Sequence, residues 1–406
     1  MAGMSLVELL VSVALGLLIL AALTTVFVNS STARREIDLT GQQIENGRYA
    51  IEILSDDLRL AGYFGELDPV PANEAANLAA DPDWVPAVVP PVALPDPCTI
   101  PADLKDWRPA LYLHLQAYHN GTGLPAGCSA ATNIKTNADA TTNPDIVVVR
   151  RARACAVGEA GCEPVDPDKP YLQVSLCATE SSTTPYTLAL GSVAATLRLR
   201  GAAAGTCGAT VAPRQYMTHV YFISKDNGSV SPSPTCPNAD PKINQEVCVP
   251  TLKRLELSTE FGALTMKEVP LVEGIEQLNI EYGLDCAANT VPPAPFVAVW
   301  PDGMADVYTS DPTNYTDGAN CANAVDNWRN VVNVRFYALA RNVSTSPGLS
   351  DEAKAKTYTL GRKPTLAPGA PGAPLTVGPF NDNYRRHVYS SLVRVANPAG
   401  RRDRPL

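Results

Sequence analysis

The chain has 406 residues, ten cysteines, 36 prolines and a formal net charge of −9. That length is enough for one large domain or two ordinary ones with a substantial core, and the acidic balance gives no general electrostatic attraction to nucleic acid or anionic lipid headgroups. Ten cysteines, an even number that permits full pairing, suggest an oxidising compartment, and no CxxC pair occurs to favour a redox or zinc-ribbon site.

In chain order, residues Gly3 to Val28, GMSLVELLVSVALGLLILAALTTVFV, form an apolar run long enough to cross a bilayer. It is longer than the core of a cleaved secretory signal, roughly 7–15 residues, and lacks that signal's small-x-small exit. One carboxylate, Glu8, lies just inside its start. An ionised carboxylate is costly in hydrocarbon, so Glu8 is a functional candidate, expected to meet a positive partner such as an α-amino group. The following segment, STARREIDLTGQQIENGRYAIEILSDDLRLAGYF, continues as a helix. Ile37, Ile44, Ile51 and Leu58 recur every seven residues beside Gly47, Leu54 and Ala61, which predicts an apolar stripe flanked by Arg34, Glu36, Glu45, Glu52 and Asp56. Both segments together make a rod of about 55 residues, on the order of 80 Å. Gly41, Gly47 and the Asn29-Ser30-Ser31 patch lower helix propensity and mark places to bend.

Past Gly65 the texture changes. Pro86, Pro90, Pro91, Pro95 and Pro97 exclude a long helix or central strand and predict an extended connection fastened near Cys98. Strands with one buried face are predicted where Leu111, Leu113 and Leu115 alternate with Tyr112, His114 and Gln116, where Leu278, Ile280 and Tyr282 alternate with Gln277, Asn279 and Glu281, and where Val332, Val334 and Phe336 alternate with Asn333 and Arg335. Ile146 to Val149, Met217 to Ile223 and His387 to Val395 are further candidates. The Pro/Gly/Ala-rich stretch from Arg362 to Pro379 predicts a surface loop or hinge. The disulfide candidates are Cys98, Cys128, Cys155, Cys162, Cys177, Cys207, Cys236, Cys248, Cys286 and Cys321. Cys155 and Cys162, and Cys236 and Cys248, are close enough to staple local loops, while the connectivity stays open.

No catalytic constellation emerges: GxSxG, a P-loop, HExxH and a GxGxxG after a strand are all missing from the sequence. His114 and His119 fall on opposite faces of one predicted strand, a poor geometry for a shared metal, and His219 and His387 are far along the chain. The acidic stretch from Asp302 to Asp326, with Asp306, Asp311, Asn314 and Asp317, departs from the EF-hand pattern and is expected to be a polar turn rather than a calcium site. The basic tail Arg401-Arg402-Asp403-Arg404 is expected to be a solvated end. The expectation is therefore a non-enzymatic protein without cofactor, metal or nucleic-acid partner.

The arrangement of Gly3, Met4, Ser5, Leu6, Val7 and Glu8 before the hydrophobic helix resembles the class III signal of type IV prepilins and pseudopilins. That resemblance implies cleavage between Gly3 and Met4 by a membrane-embedded prepilin peptidase, methylation of the new N-terminus, and pairing of Glu8 with the N-terminal ammonium of a neighbouring subunit. Most such leaders carry Lys or Arg, which Met1-Ala2-Gly3 does not. The strings ENGRYAIEILSDDLRLAGYFG, PDIVVVRRA, LVEGIEQLNIEYG, NWRNVVNVRFYALAR and RRHVYSSLVRVAN resemble, in this order, the blocks of type IV pilus minor pilins of the PilW type, with Arg48 and Arg59 inside the first. The implied fold is α+β and pilin-like: a long N-terminal helix packed on an antiparallel sheet, with a large disulfide-containing insertion. The implied organisation is a leader at 1–3, a transmembrane helix at 4–30, its amphipathic continuation at 31–64 and a periplasmic head at 65–406. The resemblance implies a minor pilin that primes pilus assembly from the inner membrane and enters the cell-surface pilus, at its tip. Its partners would be the prepilin peptidase, other minor pilins, the major pilin and, at the tip, an adhesin. A minor pseudopilin of a type II secretion system and a membrane-anchored secreted adhesin are the alternatives.

Overall fold

The computed structural model describes residues 6–67, 91–100, 104–121, 123–131, 133–137, 139–181, 185–228, 248–260, 263–286, 302–317, 321–346, 348–363 and 372–402. Its first element, α1 (Leu6–Arg59), is a single helix of 54 residues that passes through Gly41, Gly47 and the Asn29-Ser30-Ser31 patch. Among the described residues the strands are β1 (Leu115–Tyr118), β2 (Ile146–Ala152), β3 (Pro170–Val174), β4 (Tyr186–Leu190), β5 (Arg198–Arg200), β6 (Cys207–Thr210), β7 (Arg214–Ser224), β8 (Thr251–Glu260), β9 (Ala263–Glu273), β10 (Ile275–Leu284), β11 (Val307–Thr309), β12 (Val331–Arg341), β13 (Tyr358–Arg362), β14 (Pro374–Val377) and β15 (Arg386–Arg394).

Two antiparallel sheets dominate. The larger is built around β7, whose one edge pairs with β2 while its other edge carries β3 near its start and β8 near its end. β1, β4 and β9 extend it outward from β2, β3 and β8. The smaller sheet has the order β11-β10-β12-β15. Period-2 alternation explains β12: Val334, Phe336, Ala338 and Ala340 enter the main core, and Leu339 points the other way onto Tyr358, Leu360 and Val377 of the β13–β14 hairpin. With α1 packed against antiparallel sheets, the chain has the expected α+β, pilin-like fold.

Disulfides join Cys98 to Cys128, Cys155 to Cys162, Cys177 to Cys207 and Cys286 to Cys321. Cys248 is disulfide-bonded as well, and Cys236 lies outside the described residues.

Four expectations are corrected. The helix stripe is rotated: Leu39, Gln43, Gly47, Ala50, Leu54 and Leu58 are buried, whereas Ile37 and Ile44 are 70% and 46% exposed. A straight α-helix drifts about 20° per heptad, so positions seven apart walk off a flat contact, and three such steps separate Leu58 from Ile37. The predicted strand through Leu111 is a 3₁₀ helix, Leu104–Tyr112, and β1 begins at Leu115; Pro109 inside it has no N–H for a ladder. β10 is buried on both faces, not one. On its polar face Gln277 donates to the Thr142 carbonyl and Glu281 meets Arg335 and Tyr337, while both side-chain polar atoms of buried Asn279 lack a hydrogen-bond partner among the described residues. Within the stretch 362–379 expected as loop, Pro374–Val377 forms β14, and residues 364–371 lie outside the described ones.

Candidate functional site

The feature that sets this molecule apart is α1, one half bare and one half seated. From Leu6 to Val28 its apolar side chains are exposed, and its most apolar 18-residue window has a mean hydropathy of 2.7 with none of it buried. Among the described residues none of the head covers this length, and α1 is by length and composition apolar enough to cross a membrane. Glu8 stands in its first turn, where a carboxylate is favoured by the helix dipole. The Ser12 hydroxyl donates to the Glu8 carbonyl at 2.6 Å. Gly3 and Met4, the processing residues, lie outside the described residues.

The seated half is held by polar groups as much as by apolar ones, and it touches both sheets. Gln43 Nε2 donates to the carbonyls of Ala340 on β12 and of Arg385 at 2.8 and 3.0 Å, and Asn46 Nδ2 donates to the Glu273 carbonyl on β9 at 3.1 Å. Arg385 also pairs with Glu36 at 3.1 Å. At Gly47 the Tyr389 ring of β15 lies so close that a Cβ would stand 2.2 Å from it. This glycine is therefore a contact surface rather than a bending point.

In its last turn, α1 inserts Asp57 into the larger sheet. Its carboxylate accepts from Arg151 Nε of β2 at 2.6 Å, and meets His219 Nδ1 at 2.7 Å and Tyr221 Oη at 2.8 Å, both of β7. Burial alone would push this carboxyl up, but His219 and Arg151 outweigh it and hold Asp57 well below the usual carboxylate range. Burial and the Asp57 charge push the Tyr221 hydroxyl well above its ordinary value. A second buried cluster fixes the edge of the smaller sheet: Arg386 Nε meets Glu276 at 2.6 Å and its two terminal nitrogens reach Asp382, each at 2.6 Å. Although burial raises it, Glu276 is held down at about 2 by Arg386, with Lys135 and Arg341 adding to the effect.

The histidines do not converge. His114 meets the Val331 carbonyl at 2.9 Å, His119 meets Asp145 at 2.9 Å, His219 meets Asp57, and His387 packs edge-on against Tyr389. Among the described residues, three places bring two cysteines and a carboxylate together, at Asp96, Glu159 and Asp317. In each the cysteines form a disulfide, so no thiolate is offered to a metal. In the acidic stretch, Asp311 accepts from Asn314 Nδ2 at 2.7 Å and Asp317 accepts from Cys321 N at 3.0 Å, the geometry of polar turns. Arg59 pairs with exposed Asp56 at 3.4 Å. Sequence reasoning missed Asp57, Arg151, Gln43 and Asn46. The available signal was a pair of polar residues, Gln43 and Asp57, on the side of α1 that also carries Leu39, Ala50 and Leu54.

A pilin-like fold with a bare apolar helix defines a class of single-anchor subunits whose heads are joined to a membrane-length rod. Residues 220–397 match the family model PilW, described as type IV pilus-assembly protein W, and over that stretch the chain is of the PilW type. The blocks beginning at Leu271, Asn327 and Arg385 fall inside the match, and those beginning at Glu45 and Pro144 precede it. The matched stretch contains the smaller sheet on which α1 sits. No curated protein and no solved structure matches the chain. The PilW match supports involvement in type IV pilus assembly.

Proposed function

We propose that this protein is a non-enzymatic minor pilin that primes pilus assembly from the inner membrane, with its head in the periplasm, and then occupies the pilus tip. The observation that carries the reading is the continuity of α1: one rigid helix joins a bare apolar length to a PilW-type head. Such a rod can be held in lipid before assembly and packed among other helices afterwards, since both environments accept the same apolar side chains. Exposed Ile37, Ile44 and Tyr49 extend that apolar surface beyond the membrane length, on the side turned away from the head. Glu8 supplies the polar contact, pairing with the ammonium that cleavage between Gly3 and Met4 by a prepilin peptidase creates on a neighbouring subunit. In hydrocarbon such a pair is strong when its geometry is good and costly when one partner is missing, which selects register.

The experiment is co-purification from membranes. Full-length wild-type chain should carry other minor pilins and the major pilin with it. Glu8→Ala should insert equally well and recover them poorly. Equal recovery by both proteins would reject the role of Glu8, and failure of the wild type to recover any pilin would reject the minor-pilin reading.

A further inference from the structure

Away from α1, on the apolar face of the larger sheet, a lysine is buried between two carboxylates. Lys253 of β8 is 0% exposed; its Nζ lies 2.7 Å from Asp226 Oδ1, itself 0% exposed, and 2.6 Å from Glu268 Oε1 of β9, 19% exposed. Strand register places Lys253 and Glu268 on one side. Lys253 pairs with Phe222 and Pro270, and Leu255 pairs with Val220 and Glu268, so the lysine shares its face with Val220, Phe222, Leu255 and Met266. Asp226 sits just past the end of β7. Its Oδ1 also accepts from Gly228 N at 3.0 Å, and its Oδ2 accepts from Asn133 Nδ2.

As an ion cluster this arrangement is poorly chosen. It places one cation and two anions in a dry cluster, where desolvation is large and an apolar replacement is often as stable. As a reaction site each part has a use. Lysine becomes a nucleophile when a neighbouring base takes its proton in an apolar pocket, and Glu268 is within reach to do so. Asp226 holds the electrophilic carbon, and the donors on its two oxygens, from Gly228 and Asn133, are placed to stabilise the oxyanion formed on attack. The rigid sheet holds the amine in contact with the carboxyl, which substitutes for an external activating group by proximity.

We propose that Lys253 and Asp226 join in an intramolecular amide bond, with Glu268 as the proton carrier. Lys253 Nζ bonds to Asp226 Cγ and one Cγ–O bond breaks. The ammonium gives up two protons, both reach the departing oxygen through Glu268, and one water leaves. Glu268 ends in its starting state and no oxidant or activating cofactor is required. The bond ties the turn after β7 covalently to β8 at a sequence separation of 27, adjacent to the strand that receives Asp57 from α1.

The test is mass spectrometry of the full chain extracted from membranes, reduced and alkylated, for wild type, Lys253→Met and Glu268→Gln, each against its own sequence mass after the same N-terminal processing. Wild type should be lighter by one water and should yield one branched peptide containing both Asp226 and Lys253. Lys253→Met and Glu268→Gln should show no loss of water. Wild type at full mass, with Asp226 and Lys253 in separate peptides, overturns the proposal, as does the same loss of water persisting in Lys253→Met. Complete loss of water in Glu268→Gln overturns the role of Glu268.

Discussion

Replacing Asp57 by alanine should loosen α1 from the head more than any apolar truncation of comparable size. The side chain is 5% exposed, and its removal strips the acceptor from Arg151, His219 and Tyr221 at once. Breaking a buried, hydrogen-bonded charge cluster on one side costs about 3–5 kcal/mol, because the remaining partners stay desolvated. Asp57→Asn keeps the volume and one acceptor oxygen, and should cost about 1–3 kcal/mol. The assay is urea unfolding of the full chain in detergent, followed by the fluorescence of Trp107 and Trp328, with the slope against urea unchanged. The sign with pH is fixed by the lowered Asp57 value. A carboxyl lower in the folded state than in the unfolded one stabilises fully above about pH 4 and loses that contribution as pH falls further. The gap between wild type and Asp57→Ala should therefore narrow in acid. A variant within about 0.5 kcal/mol of wild type at neutral pH, a value typical of inert surface changes, would refute the reasoning. So would a gap indifferent to acid.

Gly47→Leu should be destabilising despite the gain of about 1 kcal/mol in helix propensity, since its side chain must displace the Tyr389 ring; Tyr389→Ala in the same chain should restore much of the loss in thermal unfolding. In Glu276→Gln, the acid sensitivity between pH 4.5 and about 2 that Glu276 contributes, on the order of 3 kcal/mol in wild type, should disappear from the pH dependence of urea midpoints. Reduction should lower the melting temperature sharply, because the bridges separated by 30, 30 and 35 residues contribute about 2–5 kcal/mol each. Removing Cys155 and Cys162 together, seven residues apart, should matter less. N-terminal mass analysis of membrane-extracted protein should find Met4 first and methylated, and a large residue in place of Gly3 should leave Met1 to Gly3 attached.

What could be read in advance followed the strength of local periodicity. α1 was legible because apolar runs and helical spacing need no partner to be recognised, β12 because apolar and polar residues alternate along it, and β2 and β7 because they are short runs rich in β-branched and aromatic residues. The face of α1 was read only in part: Gly47, Leu54, Leu58 and Ala61 of the expected stripe are buried, but Ile37 and Ile44 are exposed, and Gln43, Ala50 and Asp57, suited to close approach and hydrogen bonding, complete the surface that touches the head. β8 escaped notice for a related reason. LKRLELSTE carries charges on both faces, and nothing local indicates that Lys253 is fully buried, since its partners Asp226 and Glu268 come from elsewhere in the chain. Likewise Gln277, Asn279 and Glu281 look like a wet face, yet the structure buries all three. Buried polar networks are long-range objects, and single-strand patterns do not contain them.

The central claim is the proposal that this protein, whose residues 220–397 match the PilW model, is needed to build the pilus and acts through its exposed helix. Surface pili counted by electron microscopy test it directly, in cells lacking the chain and in the same cells supplied with wild type or Glu8→Ala at equal levels. The account predicts few or no pili without the chain, normal numbers with wild type, and numbers close to the deletion with Glu8→Ala. Normal piliation in the deleted cells would contradict it.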